Sequence, residues 1–239
     1  MFRKKYIIQS IDIDEFGLLK LSALFKYIQI VAGDAIEDSG IGQKVLLQKG
    51  LLWVLTRVGI QIDKWPRWQD EIYISTYPND NKKFIYPRHF VISDKEGNVL
   101  IKIVSIWAII DSFTRRLSIF DLSQFNDFIT ERHDDELPLP EKLFIKDDII
   151  PVYSHTVRYT DCDINKHLNN TRYIDLILDV NSSSFYKENI ITYFQIQYEF
   201  ECRELDEIHL YRNNNYVVGK VGDKTSFVAY IEYKDRKNG

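Results

Sequence analysis

Cysteine is nearly missing from this sequence: Cys162 and Cys202 are the only 2 in 239 residues. They form no Cys-x-x-Cys pair and no cluster with metal-ligand spacing. That argues against a disulfide framework and a structural zinc, so no metal site is expected. Net charge is almost absent too. The chain sets 31 Lys and Arg against 35 Asp and Glu, a balance of -4, which gives bulk charge no hold on a nucleic-acid backbone. No stretch reaches the ~18 apolar residues of a membrane span. The opening residues, Met1 to Ser10, lack the apolar run and small-residue cleavage site of a secretion signal, so a cytoplasmic location is expected. Also missing are the GxGxxG and P-loop patterns of nucleotide enzymes and the GxSxG elbow of serine hydrolases, and no cofactor is expected.

What is present is a core-forming composition. Apolar residues make up 45% of the chain and aromatics 14%, with 28% charged, the balance of a globular protein of one large domain or two small ones. Tyr6 to Ile13 reads as a strand. Leu21, Leu24, Phe25, Ile28, Val31, Ala32, Ala35 and Ile36 recur at spacings of three and four, which predicts a long, well-covered helix. From Leu51 the pattern turns β-branched and partly alternating. Strands are expected at Trp53 to Ile62, Glu71 to Tyr77, Phe84 to Ser93 and Val99 to Ile110, the last two joined by the turn-forming Asp94-Lys95-Glu96-Gly97-Asn98. Residues 113–150 are charged in patches (Arg115, Arg116, and Glu131 to Glu136 with His133) and broken by Pro138 and Pro140, and read as a connector.

After Pro151 the pattern repeats: a strand (Val152 to Tyr159), a polar turn, a helix (Thr171 to Val180), then strands at Tyr193 to Cys202, Glu207 to Asn213, Asn215 to Val221 and Ser226 to Tyr233. The chain is thus two copies of strand, helix and antiparallel meander, at 1–112 and 151–239, with little residue identity between them. A helix against a curved antiparallel sheet, paired with a second such unit, covers sheet and edge together. This is the logic of two tandem hotdog units in one chain, an α+β fold.

The chemistry-bearing residues gather in one polar run, Asp161 to Asn170. Asp163, Asn165 and His167 alternate, so an extended backbone puts them on one side and a turn still keeps them close. They stand at the N-terminus of the second helix, where backbone N–H groups around Leu168, Asn169 and Asn170 would be unpaired and the dipole favours developing negative charge. Spacing alone favours the plainer reading, a helix cap, with Asn169 or Asn170 accepting the first-turn N–H groups.

A resemblance adds to this reading. Asp163-Ile164-Asn165-Lys166-His167-Leu168-Asn169-Asn170, followed by Tyr173-Ile174, resembles the Asp-x-Asn-x-His-x-Asn-Asn-x-x-Tyr segment of the acyl-acyl carrier protein (acyl-ACP) thioesterases of plant plastids and bacteria. Tyr198-Glu199-Phe200-Glu201-Cys202 is similar to that family's strand ending in Glu-Cys. The resemblance implies a double-hotdog hydrolase that cleaves fatty acyl-ACP thioesters and so terminates fatty acid synthesis. It implies a partner, acyl carrier protein with a phosphopantetheine-linked acyl chain, and Asp163, Asn165, His167 and Glu201 as catalytic residues. Cys202 falls where a cysteine nucleophile has been proposed in the family. Adjacent strand residues face opposite sides, so one of Glu201 and Cys202 points into the site, and Glu201 is the choice made here.

In the corresponding mechanism Glu201 activates water, His167 positions it or protonates the leaving thiolate, Asp163 orients the His or the Asn, and the N–H groups of Leu168 and Asn169 polarise the carbonyl. The first half carries Asp12 and Asp14, but Phe16, Gly17 and Leu18 where the polar run would be. It is therefore expected to hold the acyl chain, with Leu24, Phe25, Ile28, Trp53 and Leu55 as lining residues. A basic surface for an acidic carrier has candidates in Lys64 and Arg67, in Lys82, Lys83 and Arg88, and in Arg115 and Arg116. His89, His133, His155 and His209 receive no role. Two competing readings are an acyl-CoA thioesterase of the same fold and a non-catalytic acyl-binding module, which would have no need of Asp163, Asn165, His167 and Glu201 together. A monomer and a homodimer both stay open.

Overall fold

A computed structural model describes residues 1–79, 83–120, 136–145 and 148–236. The chain divides into two compact units, Met1–Leu19 with Lys26–Pro140 and Lys20–Phe25 with Glu141–Gly239.

The first unit holds strand β1 (Phe2–Ile7), a 3-10 turn (Ser10–Asp12), helices α1 (Leu21–Asp38) and α2 (Gln43–Gln48), and strands β2 (Leu51–Ile62), β3 (Glu71–Pro78), β4 (Tyr86–Asp94), β5 (Val99–Asp111) and β6 (Leu117–Ser118). The first turn of α1 groups with the second unit. The sheet order is β1-β3-β4-β5-β2, antiparallel at every step, with β6 on the end of β5. Val58, Ile60, Ile72, Ile74, Phe90, Ile92, Ile101 and Ile103 are buried across it, as the apolar strand runs require. Edge strand β1 alternates between half-buried and exposed residues. It meets α1 through stacked Tyr6 and Tyr27 rings (4.5 Å between centroids) and a Lys4–Asp34 ion pair of 2.6 Å.

The second unit holds β7 (Ile150–Thr156), a 3-10 turn (Tyr159–Asp161), helices α3 (Asn170–Leu178) and α4 (Ser183–Glu188), and strands β8 (Asn189–Tyr198), β9 (Glu207–Asn213), β10 (Tyr216–Val221) and β11 (Lys224–Asp235). Its antiparallel order is β8-β11-β10-β9-β7. Tyr173, Ile174, Leu176 and Ile177 form the buried face of α3. The Tyr173 ring stands edge-on to Tyr198 (5.3 Å) and Phe227 (5.6 Å), and Tyr153 on β7 donates its hydroxyl to Leu176 C=O at 2.6 Å. No helix among the described residues is long and apolar enough to cross a membrane.

Two expectations need correction, and two short helices are new. The first strand runs over Phe2–Ile7, not Tyr6 to Ile13, because Asp12 and Asp14 bend the chain: Asp12 N–H bonds Gln9 C=O (3.0 Å) and Asp14 accepts two backbone N–H groups downstream. The short helices α2 and α4 went unforeseen. Six residues offer too little periodicity to read. Strand β8 stops at Tyr198 rather than Cys202, since the N–H groups of Glu199 and Phe200 both converge on Ser226 C=O (2.8 and 3.1 Å) and the chain turns away there. Of the connector, Glu131 to Asp135, with His133, lie outside the described residues. Glu141 and Leu143 are tied down by Gln195 and Gln197 of β8.

Candidate active site

The polar run folds as a tight loop in front of α3. Asp163 organises it by its own backbone and side chain. Its N–H bonds His167 C=O (2.8 Å), its C=O accepts Lys166 N–H (2.9 Å), and Oδ1 accepts the N–H groups of Asn165 (2.8 Å) and His167 (3.3 Å). Lys166 takes the left-handed conformation this turn demands, φ 62°. Asp163 thus orients Asn165 and His167 through their backbones rather than through the imidazole or amide. Asn165 is exposed at the loop's tip. His167 turns inward to Glu201, with Nε2 3.3 Å from Oε2 and side-chain exposures of 16% and 40%. The structure therefore pairs His167 with Glu201 and holds Asn165 and His167 on one loop through Asp163.

Glu201 and Cys202 face apart, though not by strand alternation, because both lie beyond the end of β8. Cys202 is fully buried. Its Sγ lies 3.0 Å from Ser226 Oγ, which donates to Phe200 C=O (2.8 Å), and its N–H donates to Tyr173 Oη (3.2 Å). Burial pushes its thiol up, and the neighbouring Ser226 and Tyr173 hydroxyls offset this only in part. A buried thiol with a raised pKa is a poor nucleophile. Iodoacetamide at neutral pH is therefore expected to leave Cys202 unlabelled and activity intact in the folded protein. Inactivation that keeps pace with Cys202 labelling, followed by peptide mass mapping, would restore the cysteine to the chemistry.

The oxyanion donors expected at Leu168 and Asn169 are not available. Leu168 N–H is bonded to Cys202 C=O (2.8 Å) and Asn169 N–H to Asp161 C=O (2.9 Å). These bonds staple the loop to its neighbours. Asn169 is the N-cap of α3, its Oδ1 accepting Thr171 N–H at 2.9 Å. Among the described residues, Asn170 N–H is the first-turn amide left without a partner.

Two features escaped sequence reading. Asp161, buried beneath the loop, accepts Arg158 N–H (2.9 Å), His155 Nε2–H (2.8 Å) and Arg172 Nε–H (3.1 Å). Burial pushes its carboxyl up, but those three bonds outweigh it and hold the pKa below the ordinary carboxylate range. The second feature is a twin. In the first unit Asp14 N–H bonds Leu18 C=O (2.8 Å), Asp14 Oδ1 accepts the N–H groups of Phe16 and Leu18 (2.9 Å each), and Gly17 has φ 75°. Leu19 N–H bonds Pro66 C=O at 2.8 Å, as Leu168 N–H bonds Cys202 C=O. The two loops share these bonds, and Phe16, Leu18 and Trp65 stand where the second unit has Asn165, His167 and Glu201. The signal was there to find: Asp12-Ile-Asp-Glu-Phe-Gly-Leu-Leu19 against Asp161-Cys-Asp-Ile-Asn-Lys-His-Leu168.

Of the expected acyl-lining residues, Leu24, Phe25, Ile28 and Leu55 are buried. Leu24 and Phe25 group with the second unit, where Phe25 is edge-on to Phe194 at 5.8 Å. Trp53 is half-buried, edge-on to Tyr86 (5.1 Å), its buried indole N–H without a hydrogen-bond partner among the described residues. Lys64, Arg67, Lys83, Arg115 and Arg116 are exposed, and Lys82 lies outside the described residues. Arg88 is no surface charge. It is buried, with Nη1 donating to Thr76 Oγ1 (3.2 Å), and desolvation pushes its guanidinium down to about 10.

Comparison with known proteins places these features in a family. Residues 1–121 match the family model for the acyl-ACP thioesterase N-terminal domain and residues 148–235 that for its C-terminal domain. The palmitoyl-acyl carrier protein thioesterase of Arabidopsis thaliana, a chloroplastic protein, is 25% identical over 215 residues, covering 84% of this chain and 52% of its own. The dodecanoyl-[acyl-carrier-protein] hydrolase of Cinnamomum camphora is 26% identical over 222 residues, covering 84% and 56%. The chain thus spans about half the length of the curated relatives it matches. Among solved structures, an acyl-ACP thioesterase from Bacteroides thetaiotaomicron superposes with a TM-score of 0.86 at 25% identity, over 97% of both chains. The 12:0-ACP thioesterase of Umbellularia californica shares the fold, with a TM-score of 0.82 at 22% identity over 98% of this chain and 97% of that one.

Proposed function

The chain belongs to the acyl-ACP thioesterase family, and we propose that it hydrolyses the thioester joining a fatty acyl chain to the phosphopantetheine arm of acyl carrier protein. The products are a free fatty acid and the carrier thiol, and release of the acid ends chain growth. The observation that carries this reading is the His167–Glu201 contact of 3.3 Å. It lies beside an exposed Asn165, on a loop whose shape Asp163 fixes.

In this reading the Glu201 carboxylate takes a proton from a water molecule whose oxygen adds to the thioester carbon. The oxygen of the tetrahedral adduct is met by the Asn165 amide and the Asn170 N–H, donors worth roughly 3–4 kcal/mol each when well placed. Collapse breaks the C–S bond, and the proton held by the Glu201–His167 pair passes to the leaving sulfur, so the pair ends as it began. Acyl-chain binding is assigned to the first unit, whose loop has apolar Phe16, Leu18 and Trp65 in place of the reacting side chains. Ile28, Trp53 and Leu55 are its proposed apolar lining.

The test is hydrolysis of a ladder of acyl-ACP thioesters beside the matching acyl-CoAs. The expected result is free fatty acid from the carrier substrates with kcat/KM at least about 10-fold above the acyl-CoAs, the protein surface adding binding that CoA lacks. A preference for the acyl-CoAs would make the chain an acyl-CoA thioesterase. No turnover of either series, with measurable acyl binding, would replace the enzyme with a binding module.

A further inference from the structure

We propose that Asp161, together with Arg172, is a positioning residue for this reaction: it clamps both ends of the loop that carries Asn165 and His167, so that His167 meets Glu201. The inference rests on the roles just proposed for His167 and Glu201. Asp161 is 4% exposed and ties four places. Its carboxylate receives His155 from β7, the Arg158 N–H where the loop begins, and Arg172 from α3. Its carbonyl receives the Asn169 N–H where the loop ends, at 2.9 Å. Arg172 is held from a second side by Asp175, with Nη1 to Oδ2 at 2.9 Å. Asp163 sets the curvature of the loop, but nothing in its bonds fixes that loop to β7 or α3. Asp161 does.

The first unit supplies the contrast. Asp12 fills the same place at the end of the matching 3-10 turn and is also buried, at 9% exposed. Its Oδ2 accepts a neutral partner, the Tyr27 hydroxyl, at 2.6 Å. Both carboxylates accept charge-assisted bonds, but an Arg guanidinium brings a second charge and a planar fork that the Tyr27 hydroxyl does not, and an Arg and a His appear only in the unit whose loop carries polar side chains. A carboxylate needed merely to fold the turn would have the same need of partners in both units.

The experiment uses the full chain and three variants, Asp161→Asn, Arg172→Gln and Asp12→Asn, with kcat and KM for a palmitoyl-ACP substrate, thermal unfolding, and amide exchange at Leu168 and Asn169. Asp161→Asn should lower kcat at least about 10-fold with KM within about threefold, the pattern of a displaced reacting group. It should also speed exchange at those two amides. Asp12→Asn should lower the melting temperature by a similar amount and leave kcat within about twofold. Arg172→Gln, which removes one partly exposed arm, keeps the idea testable if Asp161→Asn does not fold, and should lower kcat about 3- to 10-fold. The inference is overturned if kcat survives in Asp161→Asn or Arg172→Gln, or if Asp12→Asn loses kcat as severely as Asp161→Asn. Glu201→Ala is run alongside. An active Glu201→Ala defeats the proposed chemistry itself, whereas a dead one beside an active Asp161→Asn defeats the clamp alone.

Discussion

Glu201→Gln is expected to lower kcat on acyl-ACP at least about 1,000-fold, a loss of about 4 kcal/mol in transition-state stabilisation, with KM little changed. The amide keeps the size of the carboxylate and a neighbour for His167 Nε2, now 3.3 Å from Glu201 Oε2. What it loses is the capacity to take a proton from water, a step worth roughly 10² to 10⁴ in rate. Glutamine also leaves the imidazolium that forms during turnover without its counter-charge. Both losses fall on the transition state and neither on substrate binding, so kcat and kcat/KM should drop together. His167→Ala should cost less, about 100-fold, because water can still reach a half-exposed Glu201. The measurement is thiol release under saturating substrate, with free fatty acid quantified beside it. Should Glu201→Gln retain more than a tenth of wild-type kcat, the base lies elsewhere, and Asp163 is the next carboxylate in the loop.

How such a site could be read in advance differs from residue to residue. The length of α1 was legible because burial on a helix enforces a period, and Leu21, Leu24, Phe25 and Ile28 obey it. The β-meanders were legible for the same reason at a different period. The gathering of Asp163, Asn165 and His167 was visible as spacing, and the family resemblance added Glu201. What spacing could not convey is which atoms do the holding. Asp163 works through backbone N–H groups, and the amides of Leu168 and Asn169 are consumed by Cys202 and Asp161. The Leu168 bond depends on where Cys202 arrives from beyond β8, information a local pattern does not contain. Likewise Glu201 and Cys202 point apart because Tyr173 and Ser226 draw Cys202 inward, not because a strand alternates. The twin loop was legible in principle. Aspartates, a leucine and the spacing recur, but the three side chains that differ are those that catch the eye. His155 is one of several scattered histidines in the sequence, and only the fold shows its bond to Asp161.

Gly219→Ala is expected to lower the melting temperature by roughly 2–12 °C, from about 1–3 kcal/mol of overpacking at roughly 2–4 °C per kcal/mol for a chain of this size. It should also lower kcat about 10-fold. Gly219 on β10 lies directly opposite Phe227 on β11, and a β-carbon there would overlap the edge of the Phe227 ring. The glycine serves close approach rather than backbone freedom, as its φ is not in the left-handed region. The ring cannot swing clear, being fully buried and nearly perpendicular to the Tyr173 ring at 5.6 Å. Tyr173 in turn receives Cys202 N–H at 3.2 Å, one residue from Glu201. A methyl group at position 219 therefore presses, through one ring and one hydroxyl, on the segment that presents the proposed base.

Circular dichroism melts and steady-state kinetics on the same preparation read both effects. A wild-type melt for Gly219→Ala would show that the strands part more easily than the packing implies. Adding Phe227→Leu, which shortens the obstructing side chain, should return part of the lost stability, so that the double change costs less than the sum of the two alone. Activity need not return with it. If stability recovers and kcat does not, the Phe227 ring itself keeps Tyr173 under Cys202. If both recover, relief of the clash alone is enough to bring Glu201 back to His167.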